Sequence, residues 1–294
     1  MKSIGFFGDG LWAEKSLKAL IKDKKKIIKF VCLRYSKPDK NLIKIAKKNK
    51  IRTIITKNIN SKKNFNKIFN FNCDLLVSMS FDQKFKNRFI KNFPKKIINC
   101  HAGDLPFYRG RSVLNWVLIN DEKYFGITVH FVDKNIDTGD IIIKKKFPIL
   151  GRDDYKSLLK KASDNCPKLL LKAIDQVLFS KVRLVKQNSI CKKGSYFRKR
   201  GKGDENINWC KKSREIFSFI RGLSKPGIMA TTYSGNRKIL INKSSPKFLY
   251  FDNKIEPGTV IKLSKNYFIV KTSDSYIKIL QWAGLIKKGE ILKS

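Results

Sequence analysis

Residues 3–33, SIGFFGDGLWAEKSLKALIKDKKKIIKFVCL, decide the class of fold. Ser3–Phe7 is short and nearly all apolar, which predicts a buried strand. Leu11, Ala13, Leu17, Leu20 and Ile21 then recur at helical spacing, so Leu11–Lys22 is predicted to be an amphipathic helix. Ile27–Leu33 returns to a β-rich apolar run. The alternation continues with a helix at Asn41–Lys48, a strand at Ile51–Ile55, a helix at Lys62–Phe69, a strand at Leu75–Ser78, a helix at Gln83–Phe89 and a strand at Lys96–Cys100.

Such alternation predicts an α/β, Rossmann-like fold, a mostly parallel sheet flanked by helices. Past His101 the style changes. His101–Arg111 reads as a Gly-, Asp- and Pro-rich loop, and Ser112 is placed as the cap of a helix ending at Ile119. Gly126–Val132 and Asp140–Phe147 read as strands around a turn at Lys134–Gly139, and Asp153 or Asp154 caps a long helix ending near Val177. Residues 181–195 read as a connection. Beyond it come a helix at Ser213–Leu223 and short strands at Thr231–Tyr233, Lys238–Asn242, Thr259–Leu263, Tyr267–Thr272 and Tyr276–Gln281, the pattern of a small β-barrel-like domain. The expected domains are therefore 1–185 and 195–294, which 294 residues comfortably supply.

With 42% hydrophobic residues the chain has material for a sizeable core. No run of 18 apolar residues argues for a membrane span. The first residues, with Asp9 and Glu14 close behind, read as a strand and not as a signal peptide, so a cytoplasmic location is expected. Six cysteines without a CxxC pair, and only His101 and His130 as histidines, predict reduced thiols and no metal site. The net charge of +42 invites a nucleic-acid partner. The lysines are nevertheless spread along the chain, alongside abundant Ile, Asn and Phe that share A/T-rich codons. The charge then suits polyanionic small ligands, and nucleic acid is not expected as a partner.

The chemistry lies in IINCHAGDLPFYRGRSVLNW (97–116) and FGITVHFVDKNIDTGDII (125–142). Asn99 and His101, two apart at a strand end, share one face of the strand. The carboxyl end of a strand in an open α/β sheet is where ligands bind. Asp137 sits in a Gly-containing turn able to aim one carboxylate inward. An amide, an imidazole and a carboxylate in one cleft suit acyl transfer. The amide donates to an oxyanion, and the other two handle a proton. His130 alternates with Thr128 and Val132 and is read as structural.

These segments resemble the formyltransferase family. The resemblance is carried by Asn99-Cys100-His101, Leu105-Pro106-Phe107-Tyr108-Arg109-Gly110, Gly126-Ile127-Thr128-Val129-His130 and Asp137-Thr138-Gly139, in that order. It implies a 10-formyltetrahydrofolate co-substrate, no metal, and Asn99, His101 and Asp137 as the catalytic residues. Asn99 would stabilise the oxyanion, His101 would carry a proton, and Asp137 would hold His101 and accept the amine's proton. It also implies that the pterin lies against the loop Ser78-Met79-Ser80-Phe81-Asp82-Gln83.

Arg109-Gly110-Arg111 followed by Leu114-Asn115-Trp116, with Ala102-Gly103-Asp104 after His101, is similar to the amino-sugar branch. The implied acceptor is a nucleotide-linked amino sugar such as dTDP-4-amino-4,6-dideoxyglucose, for surface polysaccharide (lipopolysaccharide O-antigen) synthesis. Trp12, Arg109 and Arg111 are its candidate contacts, Arg111 because its fork suits phosphate oxygens. Asn206–Trp209, Ile220–Gly227, Pro257–Val260 and Gln281–Gly284 resemble the OB-like second domain of these enzymes, and a homodimer without membrane contact is implied. Methionyl-tRNA formyltransferase is the alternative within the family. A nicotinamide-dependent dehydrogenase fits Gly8-Asp9-Gly10 but not Leu33-Arg34-Tyr35, where an acidic residue is needed. A non-catalytic RNA-binding protein would not need Asn99, His101 or Asp137.

Overall fold

A computed structural model describes residues 1–247 and 254–294. In chain order the elements are β1 (Lys2–Gly8), α1 (Gly10–Lys22), β2 (Lys26–Leu33), α2 (Lys40–Lys48), β3 (Arg52–Ile55), α3 (Lys62–Phe69), β4 (Leu75–Met79), α4 (Asn87–Asn92), β5 (Ile97–His101), the short β6 (Arg109–Gly110), α5 (Val113–Ile119), β7 (Tyr124–Phe131), β8 (Ile141–Pro148) and α6 (Tyr155–Phe179). There follow α7 (Gln187–Ile190), β9 (Tyr196–Phe197), α8 (Ser213–Leu223), β10 (Ala230–Ser234), β11 (Arg237–Lys247), β12 (Val260–Ser264), β13 (Tyr267–Lys271) and β14 (Tyr276–Ala283).

The chain forms two compact units, one of residues 1–110, 126–147 and 160–196, the other of 111–125, 148–159 and 197–294. The first is built on a seven-stranded sheet of order β3-β2-β1-β4-β5-β7-β8, in which β1, β2, β3, β4 and β5 pair in parallel and β7 runs antiparallel to β5. This is the predicted Rossmann-like sheet. Phe7, Phe30, Phe65, Phe85 and Phe89 fill part of one core, with rings meeting edge to face at about 5 Å, the arrangement that the ring quadrupoles favour. Local signals start the helices. The Asp39 carboxylate accepts from the Asn41 and Leu42 N–H groups at 2.8 and 3.0 Å, and Ser61 Oγ accepts from Asn64.

The second unit carries the smaller C-terminal sheet, antiparallel and of order β10-β11-β14-β13-β12. Residues 290–293 close it edge to edge. Tyr233 and Lys293 exchange both backbone bonds at 2.9 and 2.8 Å, while the Val260 N–H donates to Glu290 and the Leu292 N–H to Gly258, each at 2.9 Å. The two outer strands thus share one terminal segment, which removes exposed edges as in small barrels. Ile207, Trp209, Ile216, Ile220 and Phe268 lie in its core.

Three expectations are corrected. Helix α4 begins at Asn87, not Gln83, because Gln83 is tied sideways: its amide donates to the Thr56 carbonyl and its oxygen accepts from Ile59, both at 2.8 Å. Phe85 and Phe89 are buried four apart, which mimics helical spacing. Ser112 does not cap α5; it stands at φ 55° and its side chain makes no capping bond. The connection at 181–195 holds a helix, α7, and leads into β9, which pairs with β6.

Candidate active site

β5 brings Asn99 and His101 to its carboxyl end on one face. In the sheet register Asn99 lies beside Ser78 of β4 on one side and opposite His130 of β7 on the other, with His101 opposite Thr128. The β7–β8 turn then delivers Asp137. The Asn99 amide nitrogen lies 3.3 Å from Asp137 Oδ1 and 3.3 Å from His130 Nε2. His130 Nε2 is 3.4 Å, and His101 Nδ1 3.7 Å, from the two Asp137 oxygens. Asn99 and His101 therefore meet Asp137, which lies 36 positions further along the chain than His101. His130, read from sequence as structural, sits among them and is itself buried. The available signal was its register opposite Asn99, which requires the pairing of β5 with β7.

Neighbouring backbone fixes each group. His101 Nε2 is 2.7 Å from the Tyr108 carbonyl, while its other nitrogen faces the Asp137 carboxylate. Both neighbours are acceptors: a neutral ring satisfies one of them and an imidazolium both. His130 Nδ1 lies 2.7 Å from the Phe131 carbonyl and donates there; its Nε2 accepts from Asn99 in the neutral ring and donates to Asp137 Oδ1 in the imidazolium, the form whose bond and charge act on Asp137. The Gly110 N–H donates to Asp137 Oδ2 at 2.9 Å. Burial pushes the Asp137 carboxyl up, but the charge of His101, the bond and charge of His130 and the Gly110 N–H outweigh it and hold the group well below its usual value. Asp137 was expected to hold His101; at 3.7 Å it supplies charge, and the Tyr108 carbonyl supplies the hydrogen bond.

The Gly-x-Thr-x-His strand supports the loop above it. Thr128 Oγ1 donates to the Gly103 carbonyl at 2.7 Å and accepts from the Leu105 N–H at 3.3 Å. A Cβ on Gly126 would stand 2.5 Å from the Asp104 Cα, so only glycine lets that loop settle on the strand. Asp104 is held from outside by Lys144 at 2.8 Å and Lys146 at 3.0 Å. Tyr108, Gly110, Ser112 and Asp137 all have positive φ. Such backbone persists where surrounding contacts over-determine it, as at functional sites.

Ser78 and Met79 are buried at the end of β4, while Ser80 turns out at φ 56°. The Met79 carbonyl accepts from Asp9, and Phe81 packs on Phe7. Asp82 is exposed, and the Gln83 side chain is consumed by the bonds that displace α4. This loop leaves the sheet beside Asn99. Trp12 is half-buried in the first turn of α1, and Arg111 is exposed. Arg109, expected to meet substrate, is a strut in this structure. Its Nε and one terminal nitrogen donate to Gln187 Oε1 at 3.0 and 2.8 Å, and the other terminal nitrogen lies 3.3 Å from the Lys193 carbonyl. Gln187 was not foreseen, because its partners are distant in sequence and it sits in a segment without periodicity. Among the described residues no group of His, Cys, Asp and Glu is placed to hold a metal, and no helix is long and apolar enough to cross a membrane.

Comparison with known proteins places the chain in a family. Residues 1–174 match the formyl transferase family and residues 199–288 the formyl transferase C-terminal domain. The chain is 34% identical over 234 residues to the bifunctional polymyxin resistance protein ArnA of Wigglesworthia glossinidia brevipalpis, covering 79% of this chain but only 35% of that longer protein. It is 32% identical over 233 residues to methionyl-tRNA formyltransferase of Halalkalibacterium halodurans, covering 78% of this chain and 71% of that one. The structure of WlaRD, a sugar 3N-formyl transferase crystallised in the presence of dTDP and 5-N-formyl-THF, superposes with a TM-score of 0.70 at 25% identity, covering 98% of this chain and 99% of that one. The chain belongs to the formyl transferase family, and it is a formyl-transferring enzyme.

Proposed function

We propose that the enzyme transfers the formyl group of 10-formyltetrahydrofolate to the amine of a nucleotide-linked amino sugar, with dTDP-4-amino-4,6-dideoxyglucose as the specific acceptor. The observation that carries the chemistry is the convergence of Asn99, His101 and Asp137 within 3.3–3.7 Å. The near end-to-end likeness to WlaRD supports the sugar acceptor.

In the reaction the neutral amine attacks the formyl carbon and a tetrahedral oxyanion develops. The Asn99 N–H groups, loosely held at 3.3 Å, donate to that oxygen, a contribution of about 2.7–4 kcal/mol for one well-placed donor. Such bonds tighten as the transition state forms. Asp137, ionised at working pH, accepts the proton released by the amine. His101 adds positive charge beside the oxyanion and returns a proton to N10 as the old C–N bond breaks, so the proton lost by the amine is balanced by the one gained by the folate. His130 holds the Asn99 amide and the carboxylate in register.

The 78–83 loop offers backbone to the pterin, Trp12 lines the sugar pocket, and Arg111 takes the diphosphate through its fork. Arg109 would act on substrate only indirectly, through the loop it braces. The active species is a cytoplasmic homodimer, and its product enters lipopolysaccharide O-antigen assembly. Transfer to methionyl-tRNA is the second possibility, favoured by the identity to the Halalkalibacterium enzyme and by the basic charge.

A product assay by mass decides. The enzyme is given 10-formyltetrahydrofolate with dTDP-, UDP- and GDP-linked 3-amino and 4-amino sugars, or with methionyl-tRNA, and the gain of one formyl group is read. Formylation of dTDP-4-amino-4,6-dideoxyglucose in preference to the rest is expected. Preference for a 3-amino sugar corrects the position of the amine, and turnover of the tRNA alone overturns the sugar acceptor.

A further inference from the structure

Gln187 lies on the four-residue helix α7, in a stretch that composition marks only as a connection, yet its side chain is 3% exposed. Its amide nitrogen donates to the carbonyls of Asp137 at 2.8 Å and Gly139 at 2.9 Å. Its oxygen accepts two bonds from Arg109, at 3.0 and 2.8 Å. Both donors and both lone pairs are thus used inside the protein.

These bonds close a ring around the carboxylate. Asp137 Oδ2 takes the Gly110 N–H; Gly110 follows Arg109; Arg109 grips Gln187; and Gln187 grips the main chain of the same Asp137. Asp137 is a non-glycine residue at φ 55°, a backbone state that needs outside support. The segment after α7 completes the support. Ser195 Oγ accepts from the Tyr108 N–H at 2.9 Å, and the Ser195 carbonyl accepts from Arg109 at 3.0 Å. Tyr108 in turn presents the carbonyl that holds His101.

We propose that Gln187 is a positioning residue for formyl transfer, and that residues 187–195 are a brace of the active site that aims Asp137 and His101. This deepens the proposed function and rests on the roles given there to Asn99, His101 and Asp137. Loss of the carbonyl contacts would let the Asp137 turn drift from Gly110 and His101.

The test uses the full-length enzyme with its preferred acceptor, and Gln187→Met and Gln187→Glu as variants. Methionine matches the length but makes none of the four bonds. Glutamate keeps the acceptors for Arg109 and loses the donors to the two carbonyls. Both are expected to lower kcat about 10–100-fold, the scale of a misplacement of about an ångström, with KM for each substrate changed less than about threefold. The acid limb of the kcat–pH profile should move upward, because the displaced carboxylate loses the bond and charges that keep it ionised. Ser180→Ala, an exposed change outside the brace, should leave all of these unchanged. Unfolding midpoints measured alongside correct for the folded fraction. A kcat within about twofold of wild type in Gln187→Glu, or an unmoved acid limb in a folded Gln187→Met enzyme, overturns the brace. Asp137→Asn in parallel separates the two ideas: an active Asp137→Asn enzyme removes the proposed role of the carboxylate, whereas an inactive one beside normal Gln187 variants removes only the brace.

Discussion

Gly103→Ala probes how tightly the His101 imidazole is placed. A Cβ built on Gly103 falls 2.4 Å from the Tyr108 carbonyl oxygen and 2.5 Å from His101 Nε2, between the two partners of a 2.7 Å hydrogen bond. Non-bonded heavy atoms rest about 3.5–4.0 Å apart, so the ring, the carbonyl or the loop must move by about 1 Å. Gly103 is not among the glycines of positive φ, so alanine meets no backbone penalty and the whole effect is steric. A shift of about 1 Å in a group adjoining the reacting atoms costs on the order of 10²-fold in rate, equivalent to about 2.7 kcal/mol of barrier. Separating the buried His101–Tyr108 pair costs roughly 1–3 kcal/mol of stability as well. Formyl transfer measured at saturating substrates, with urea unfolding of the same preparation, reads both quantities. A Gly103→Ala enzyme with kcat within about threefold of wild type would show that the imidazole position is not what limits turnover, and would falsify the role given to the Tyr108 contact.

Other outcomes follow from the same geometry. Asn99→Ala should lower kcat about 10²–10³-fold in single-turnover assays while donor binding by fluorescence stays near wild type, since it removes a donor acting mainly on the transition state; an equal loss in binding would contradict that assignment. Thr128→Val keeps the shape but removes both bonds to the 103–105 loop, and should cost about 1–3 kcal/mol in urea unfolding; an unchanged midpoint would show that the loop is held elsewhere. Asp137 is held below its ordinary value of 3.8, so the unfolded chain takes up its proton first as pH falls. Its stabilisation is present above that value and is lost as pH drops through the depressed one. The stability gap between wild type and Asp137→Asn should therefore narrow from pH 5 towards pH 2, in about that window, and a constant gap would place the shift in some other group.

The sequence by itself determined the elements and the kit of reacting groups. Period-two and helical spacing from Ser3 to Cys100 specify a parallel sheet with helices, because burial on a strand and on a helix imposes different repeats. The order of Asn99, His101 and Asp137 within four motifs singled out side chains that the fold brings together. Only the tertiary structure decided how those groups are held. Asn99 meets His130 because β5 and β7 pair in one register out of several, and pairing between distant strands leaves little trace in either segment alone. Gln83 displaced the start of α4 through bonds to residues 56–59, and Gln187 entered the site from a connection. In each case a polar side chain chose partners far along the chain, and periodicity reports only which face is buried, never which donor a buried carbonyl will find. Arg109 shows the same limit: a guanidinium in a motif can face a ligand or a glutamine with equal chemical sense, and the fold supplied the glutamine.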